Sequence, residues 1–217
     1  MKRGKLIVFE GANGSGKTTQ VKLILKKLKK EGYNICHMKY PQYNKFYGNL
    51  THRYLKGEFG KLEEVSPYLA SLLYACDRWS KRDELRRWLK EGKIVISDRY
   101  VSTSQIFLSG IFKQKKKQDE MIKWIGNLEY KVNKMPNPNF TVYLDVPLKL
   151  SLKLIKKRNN GKDIQEKDIT YLKRTENISK KLIKSNKWIT IPCTKNGKLL
   201  SINEIKNKVW GVIKNKI

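Results

Sequence analysis

The chain has 217 residues, with 48 lysines and arginines against 19 aspartates and glutamates, a formal net charge of +29. That length suits one domain with a full core and would crowd two, and a hydrophobic share of 39% excludes a chain too polar to fold. The charge attracts polyanions, but the cations are scattered from Lys2 to Lys216 and the densest run, "KQKKKQ" at 113–118, has no interleaved aromatics, so nucleic acid is not expected as the main partner.

Short apolar runs alternate with longer amphipathic stretches. Residues 6–9, "LIVF", predict a buried strand, and 18–32 predict a helix with Val21, Leu25 and Leu28 on one face and Gly32 as its stop. Residues 33–38 predict a second strand. Helices are expected over 44–57 and 65–91, the latter opened by Ser66-Pro67 and closed by Gly92. "IVIS" at 94–97 predicts the third strand, with helices over 103–109 and 117–133. The breaker "MPNPN" precedes a fourth strand at 140–146. Helices over 148–157 and 167–186 flank a polar gap, "RNNGKDIQE", which is the candidate for a moving lid, approximately 156–166. A fifth strand at 188–192 and a helix at 201–216 complete the pattern. Strands separated by helices predict an α/β fold with a parallel sheet covered on both faces, in one domain spanning 1–217.

No run approaches a membrane span, and Leu6–Phe9 is too short for a secretory signal. Cys36, Cys76 and Cys193 are far apart, with no CxxC pair. The expectation is a soluble cytoplasmic protein with free thiols.

Between the first strand and first helix lies "GANGSGKTT". Gly11, Gly16, Lys17 and Thr18 match G-x-x-x-x-G-K-[ST] in the strand–helix context that this phosphate loop requires. Its backbone N–H groups, from Gly11 through Asn13, Gly14, Ser15 and Gly16 to Thr19, would cradle the phosphates of ATP. Lys17 would reach the β and γ phosphates, and the Thr18 hydroxyl would serve Mg²⁺. Asp98, at the end of "IVISD", would stand at the carboxyl edge of a parallel sheet and complete the metal site. Arg99 beside it suits a phosphate oxygen.

"FEGANGSGKTTQ" (9–20), "YPQY" (40–43), "LLYACDRW" (72–79), "SDRYVSTSQIF" (97–107) and "DIQEKD" (163–168) together resemble the thymidylate kinase family in order and spacing. The resemblance covers nearly the whole chain, and the pair "LLYACDRW" and "DRYVSTSQ" is its specific part. It implies the nucleoside-monophosphate-kinase version of the P-loop fold, with a five-stranded parallel core. The implied activity is transfer of the γ-phosphoryl of ATP to dTMP, with Mg²⁺, in a homodimer whose contact is the exposed face of 65–91. It further implies that Tyr74 stacks on thymine, that Arg78 hydrogen-bonds the base, and that Arg99 clamps the acceptor phosphate. Pro41 would wall the base pocket, Ser104 and Gln105 would lie near the base edge, and Phe107 would crowd a 2′-hydroxyl. Glu166 resembles an acid that orders the closed site. Two departures stand out. Asn13 occupies the place of an acid that contacts the acceptor sugar, and Gln42-Tyr43 occupy that of an arginine, for which Lys39 or Lys45 is a substitute. The loop residues Ala12, Asn13, Gly14 and Ser15 include no cation, so the resemblance implies a catalytic arginine from the lid, at Arg158.

The competing expectations are a kinase for another monophosphate or a deoxynucleoside, and a basic nucleic-acid-binding NTPase. A deoxynucleoside kinase needs a base for a neutral hydroxyl, and "MKYPQY" offers no acid; the NTPase predicts an acidic pair or an added module, and neither is found.

Overall fold

A computed structural model describes residues 3–157 and 163–217. Five parallel strands, β1 (Lys5–Gly11), β2 (Ile35–Lys39), β3 (Ile94–Asp98), β4 (Phe140–Asp145) and β5 (Ile189–Pro192), form one sheet in the order β2-β3-β1-β4-β5. β1 is apolar at four successive positions because both its faces are covered. Leu6 and Val8 enter the core on one side, against helices α2 (Phe46–Lys56), α3 (Pro67–Trp79), α4 (Arg82–Lys90), α5 (Val101–Ser109) and α6 (Lys115–Gly126). Ile7 and Phe9 enter the other, against α1 (Lys17–Lys30) and the terminal helix α9 (Ile202–Lys214). Helices α7 (Leu148–Lys156) and α8 (Ile169–Ser185) follow β4, with α8 packed on α5 through Leu172 and Phe107.

The register positions the site. Phe9 pairs with Asp98, and Asp98 pairs with Lys39. The turns that begin at Gly11, Arg99 and Tyr40 therefore open at one carboxyl edge, where β1 lies between β3 and β4 and the connections diverge.

The single helix expected over 65–91 is two. Ser80 turns its hydroxyl back onto the Asp77 carbonyl at 2.8 Å, and Asp83 and Glu84 fall in the first turn of α4, where the helix dipole favours acids. The helix expected over 117–133 starts at Lys115 and widens at Asn127–Val132 into a π-helical turn. A small hairpin, β6 (Thr194–Lys195) and β7 (Lys198–Leu199), was not anticipated; its signal is Asn196-Gly197, both at positive φ, 50° and 73°.

Helix α2 approaches the segment carrying Pro41 closely at Gly48, where a Cβ would stand 2.0 Å from the Gln42 carbonyl oxygen. Gly48→Ala is expected to cost about 2–3 kcal/mol through overpacking, despite the better helix propensity of alanine. Urea unfolding should show a lower midpoint at unchanged slope.

Candidate active site

The phosphate loop is shaped by glycines in backbone conformations that side chains disfavour: Gly11, Gly14 and Gly16 have φ of 150°, 74° and 79°. Lys17 is buried, and its ammonium donates to the carbonyl oxygens of Gly11 (2.7 Å) and Ala12 (2.9 Å) across the loop. Ser15 is buried beneath the loop, while Gly16, Thr18 and Thr19 are exposed at the start of α1. A Cβ at Gly14 would stand 2.8 Å from the Ser151 carbonyl oxygen of α7. A side chain of any kind, cationic ones included, is thereby disfavoured at that loop position.

The Thr18 hydroxyl donates to Asp98 Oδ2 at 2.7 Å, so helix α1 and strand β3 present two oxygens side by side. A hydroxyl and a carboxylate suit Mg²⁺, which takes few protein ligands and completes its shell with phosphate oxygens and water.

Beside the loop is a cleft of about 50 Å³ whose lining includes Asn13, Pro41, Tyr74, Arg99, Ser104 and Phe107. Six residues from four separate motifs thus meet in one place. Arg99 lies at the junction with the phosphate loop. Its backbone is left-handed (φ 71°), one guanidinium nitrogen donates to Asn13 Oδ1 at 2.6 Å, and the group lies 5.4 Å from the Phe107 ring centre. The other terminal nitrogen, NH1, is buried without a hydrogen-bond partner. Tyr74 is buried, edge-on to Tyr54 with ring centres 6.3 Å apart, and burial pushes its phenol up.

Arg78 is placed differently from the expectation of a base contact. It is 1% exposed and is absent from the cleft lining. Its guanidinium pairs with Glu129, a fully buried acid on the π-helical turn, and donates to Ser104 Oγ at 2.8 Å. Burial opposes the charge on Arg78, and Glu129, with Tyr40 and Asp77, outweighs it, so the guanidinium is held above its ordinary value. Its link to the cleft runs through the Ser104 hydroxyl. Gln105 is also placed elsewhere: its amide donates to the Ile122 carbonyl at 3.1 Å, and it lines a separate cavity with Asn139 and Trp188. The helical period explains the placement of Gln105, since successive residues on α5 point about 100° apart.

Gln42 is occupied by Asp77: its backbone N–H donates to Oδ2 at 3.0 Å and its amide to Oδ1 at 3.2 Å. Tyr43 lines the cleft, stacked on His52 with ring centres 4.6 Å apart. Burial raises its phenol while Arg99 opposes the rise, so the hydroxyl is a neutral donor. Lys39 lines a neighbouring groove and Lys45 precedes α2; neither is in the cleft lining. Arg158 and the rest of 158–162, the middle of the expected lid, lie outside the described residues. Just beyond, Asp163 and Gln165 line the cleft, and Glu166 is buried.

The thymidylate kinase family model matches residues 9–205. The chain belongs to the thymidylate kinase family. It is 30% identical over 208 residues to a thymidylate kinase of Plasmodium falciparum (isolate 3D7), covering 96% of this chain and 89% of that one. It is 31% identical over 211 residues to a probable thymidylate kinase of Methanocaldococcus jannaschii, covering 96% and 95%. The solved thymidylate kinase of Candida albicans has the same fold, with a TM-score of 0.73 at 23% identity over 98% of this chain and 92% of that one.

Within this family member, sequence reasoning missed Glu10, Glu129, Asp163 and Gln165. Glu129 carries no local signal, being one acid in a lysine-rich stretch. Asp163 is pushed up to about 6, first by burial and then by Glu166, against hydrogen bonds from the Gln165 and Glu166 backbone N–H groups. Because its folded value exceeds the unfolded one, stability falls as pH rises from about 4 to 6. Asp163→Asn is expected to match wild type near pH 4 and to be about 1–2 kcal/mol more stable at pH 7, by denaturant melts at both pH values.

Proposed function

We propose that the protein transfers the γ-phosphoryl group of ATP to dTMP, giving ADP and dTDP. The observation that carries this reading is the position of Arg99, with a buried unpaired guanidinium nitrogen between the phosphate loop and the cleft lined by Tyr74 and Phe107. A cation there suits two polyanions brought together, one from each side.

The acceptor oxygen of a monophosphate is already an anion, so the reaction needs positioning and charge neutralisation rather than a strong base. In this reading the loop backbone and Lys17 hold the β and γ phosphates. Mg²⁺, held by Thr18 and Asp98, would supply charge neutralisation on the phosphates. Arg99 holds the acceptor phosphate, with the Tyr43 hydroxyl beside it in the place of the family's arginine. Tyr74 and Pro41 bound the base, Phe107 bounds the sugar, and Arg78 polarises Ser104 toward the base edge. Asn13 stands where the acceptor sugar would lie and offers a neutral amide. Arg158, in a lid of approximately 156–166, supplies transition-state charge. The close packing at Gly14 supports a donor from outside the loop. Closure of that lid would exclude water, which otherwise competes as acceptor.

The enzyme is proposed to act in the cytoplasm as a homodimer. Leu69, Leu72 and Trp79 are exposed along α3, an apolar stripe suited to a second copy. Static light scattering should give twice the 25.5 kDa chain mass; a monomer at micromolar concentration would reject the dimer.

The direct test is purified protein with Mg-ATP and a panel of nucleoside monophosphates, scored by diphosphate product. Transfer to dTMP is expected. Transfer only to another monophosphate would retain the chemistry and remove the substrate. Lys17→Ala should abolish transfer. Arg99→Ala should lower kcat/KM for dTMP by roughly 100-fold, through loss of a charge-assisted contact, with ATP binding by calorimetry retained.

A further inference from the structure

Glu10 is a carboxylate in the middle of the protein, on the central strand and 0% exposed. Such a group is tolerated only where its oxygens are satisfied. Its partners are three neutral donors on one short segment: the Tyr100 backbone N–H (3.3 Å), Ser102 Oγ (2.7 Å), and Thr103 Oγ1, which is 2.8 Å from each carboxylate oxygen.

That segment is the start of α5. Tyr100 is its N-cap residue and Ser102 and Thr103 lie in its first turn, yet no side chain of the helix's own caps it. An acid delivered from another element supplies what the helix lacks, at the end where the helix dipole favours negative charge.

Arg99 sits immediately before this cap with φ 71°, a backbone state that a non-glycine residue holds only when its surroundings over-determine it. The surroundings do so from both sides. Asp98, before it, is tied to Thr18 Oγ1 at 2.7 Å. Tyr100 and the residues after it are tied to Glu10. Arg99's own N–H donates to the Phe9 carbonyl oxygen at 3.1 Å, one residue before Glu10. The Phe9-Glu10 pair therefore grips the chain at and beyond the strained residue.

We propose that Glu10 is the positioning residue for Arg99: its buried carboxylate caps α5 from β1 and so fixes the left-handed turn that aims the guanidinium at the acceptor phosphate. The inference rests on the reading that Arg99 holds that phosphate. It gives the acid a role that neither touching phosphate nor moving a proton would explain. Displacing a binding cation by even an ångström is costly to transfer, so a cap several residues away can control use of the monophosphate.

The test is a double-mutant cycle. Glu10→Gln keeps the shape and one acceptor oxygen, and Thr103→Val removes a donor from the opposite side. Each is made in the wild-type and Arg99→Ala backgrounds, and KM for dTMP, KM for ATP and kcat are measured below the melting temperature of every variant. Glu10→Gln should raise KM for dTMP about five- to tenfold in the wild-type background while KM for ATP stays within twofold. In the Arg99→Ala background it should raise KM for dTMP less than twofold, because the group it positions is gone. Thr103→Val should follow the same pattern with a smaller factor, and it carries the test if Glu10→Gln does not fold. An equal rise in both backgrounds, no rise in either, or a loss confined to kcat would overturn the proposal and leave Glu10 as a structural cap. A wild-type enzyme inactive on dTMP would instead remove the substrate assignment, and the same cycle with the monophosphate it does use would still decide on Glu10.

Discussion

Everything at the site depends on the parallel pairing of β1 with β3. Because Phe9 lies opposite Asp98, the phosphate loop and the Asp98-Arg99 turn leave the sheet at the same level. The hydrogen bond from Thr18 to Asp98 and the contact from Arg99 to Asn13 both follow from that register. A slip of one residue would turn Asp98 to the opposite face and separate its carboxylate from the Thr18 hydroxyl. The register is secured by burial: β1 and β3 are apolar on both faces, and neither can slide without exposing a core side chain.

Around that edge the protein handles charge in two distinct ways. Arg99 keeps one terminal nitrogen buried without a hydrogen-bond partner beside the cleft, and Lys17 donates to carbonyl oxygens of the loop. Arg78 and Asp77 are charges consumed internally. Arg78 is matched by Glu129, and Asp77 by Gln42, so both become fixed parts of the wall. A buried ion pair is weak support for stability but a strong constraint on geometry, since either partner alone would be an uncompensated charge. The pair therefore rigidifies the floor under Ser104. The wide excess of positive charge is spread along the chain and is a separate matter.

The motifs were legible where local chemistry and chain order coincide. The phosphate loop needs its glycines, lysine and threonine within eight residues, so the sequence displays it directly. Pro41, Tyr74, Ser104 and Phe107 were legible as members of family motifs, and the fold brings them to one cleft. Arg78 and Gln105, which the resemblance implied at the base edge, are absent from the cleft lining; Tyr74 and Arg78, at i and i+4, share a helix face without sharing an environment. The split of the helix expected at 65–91 was obscured by continuous amphipathic character; a serine hydroxyl competing for a backbone carbonyl decided it.

The sequence by itself determined the alternating strand and helix pattern, the phosphate loop and the family. Each of these is written in short-range periodicity or in contiguous motifs. Only the tertiary structure decided that Arg99 borders the cleft while Arg78 and Glu129 are spent on one another. Glu10 and Glu129 find their partners 90 and 51 residues away, at Tyr100 and Arg78. Such pairings are set by strand register and helix packing, which bring together residues whose identities say nothing of each other along the chain.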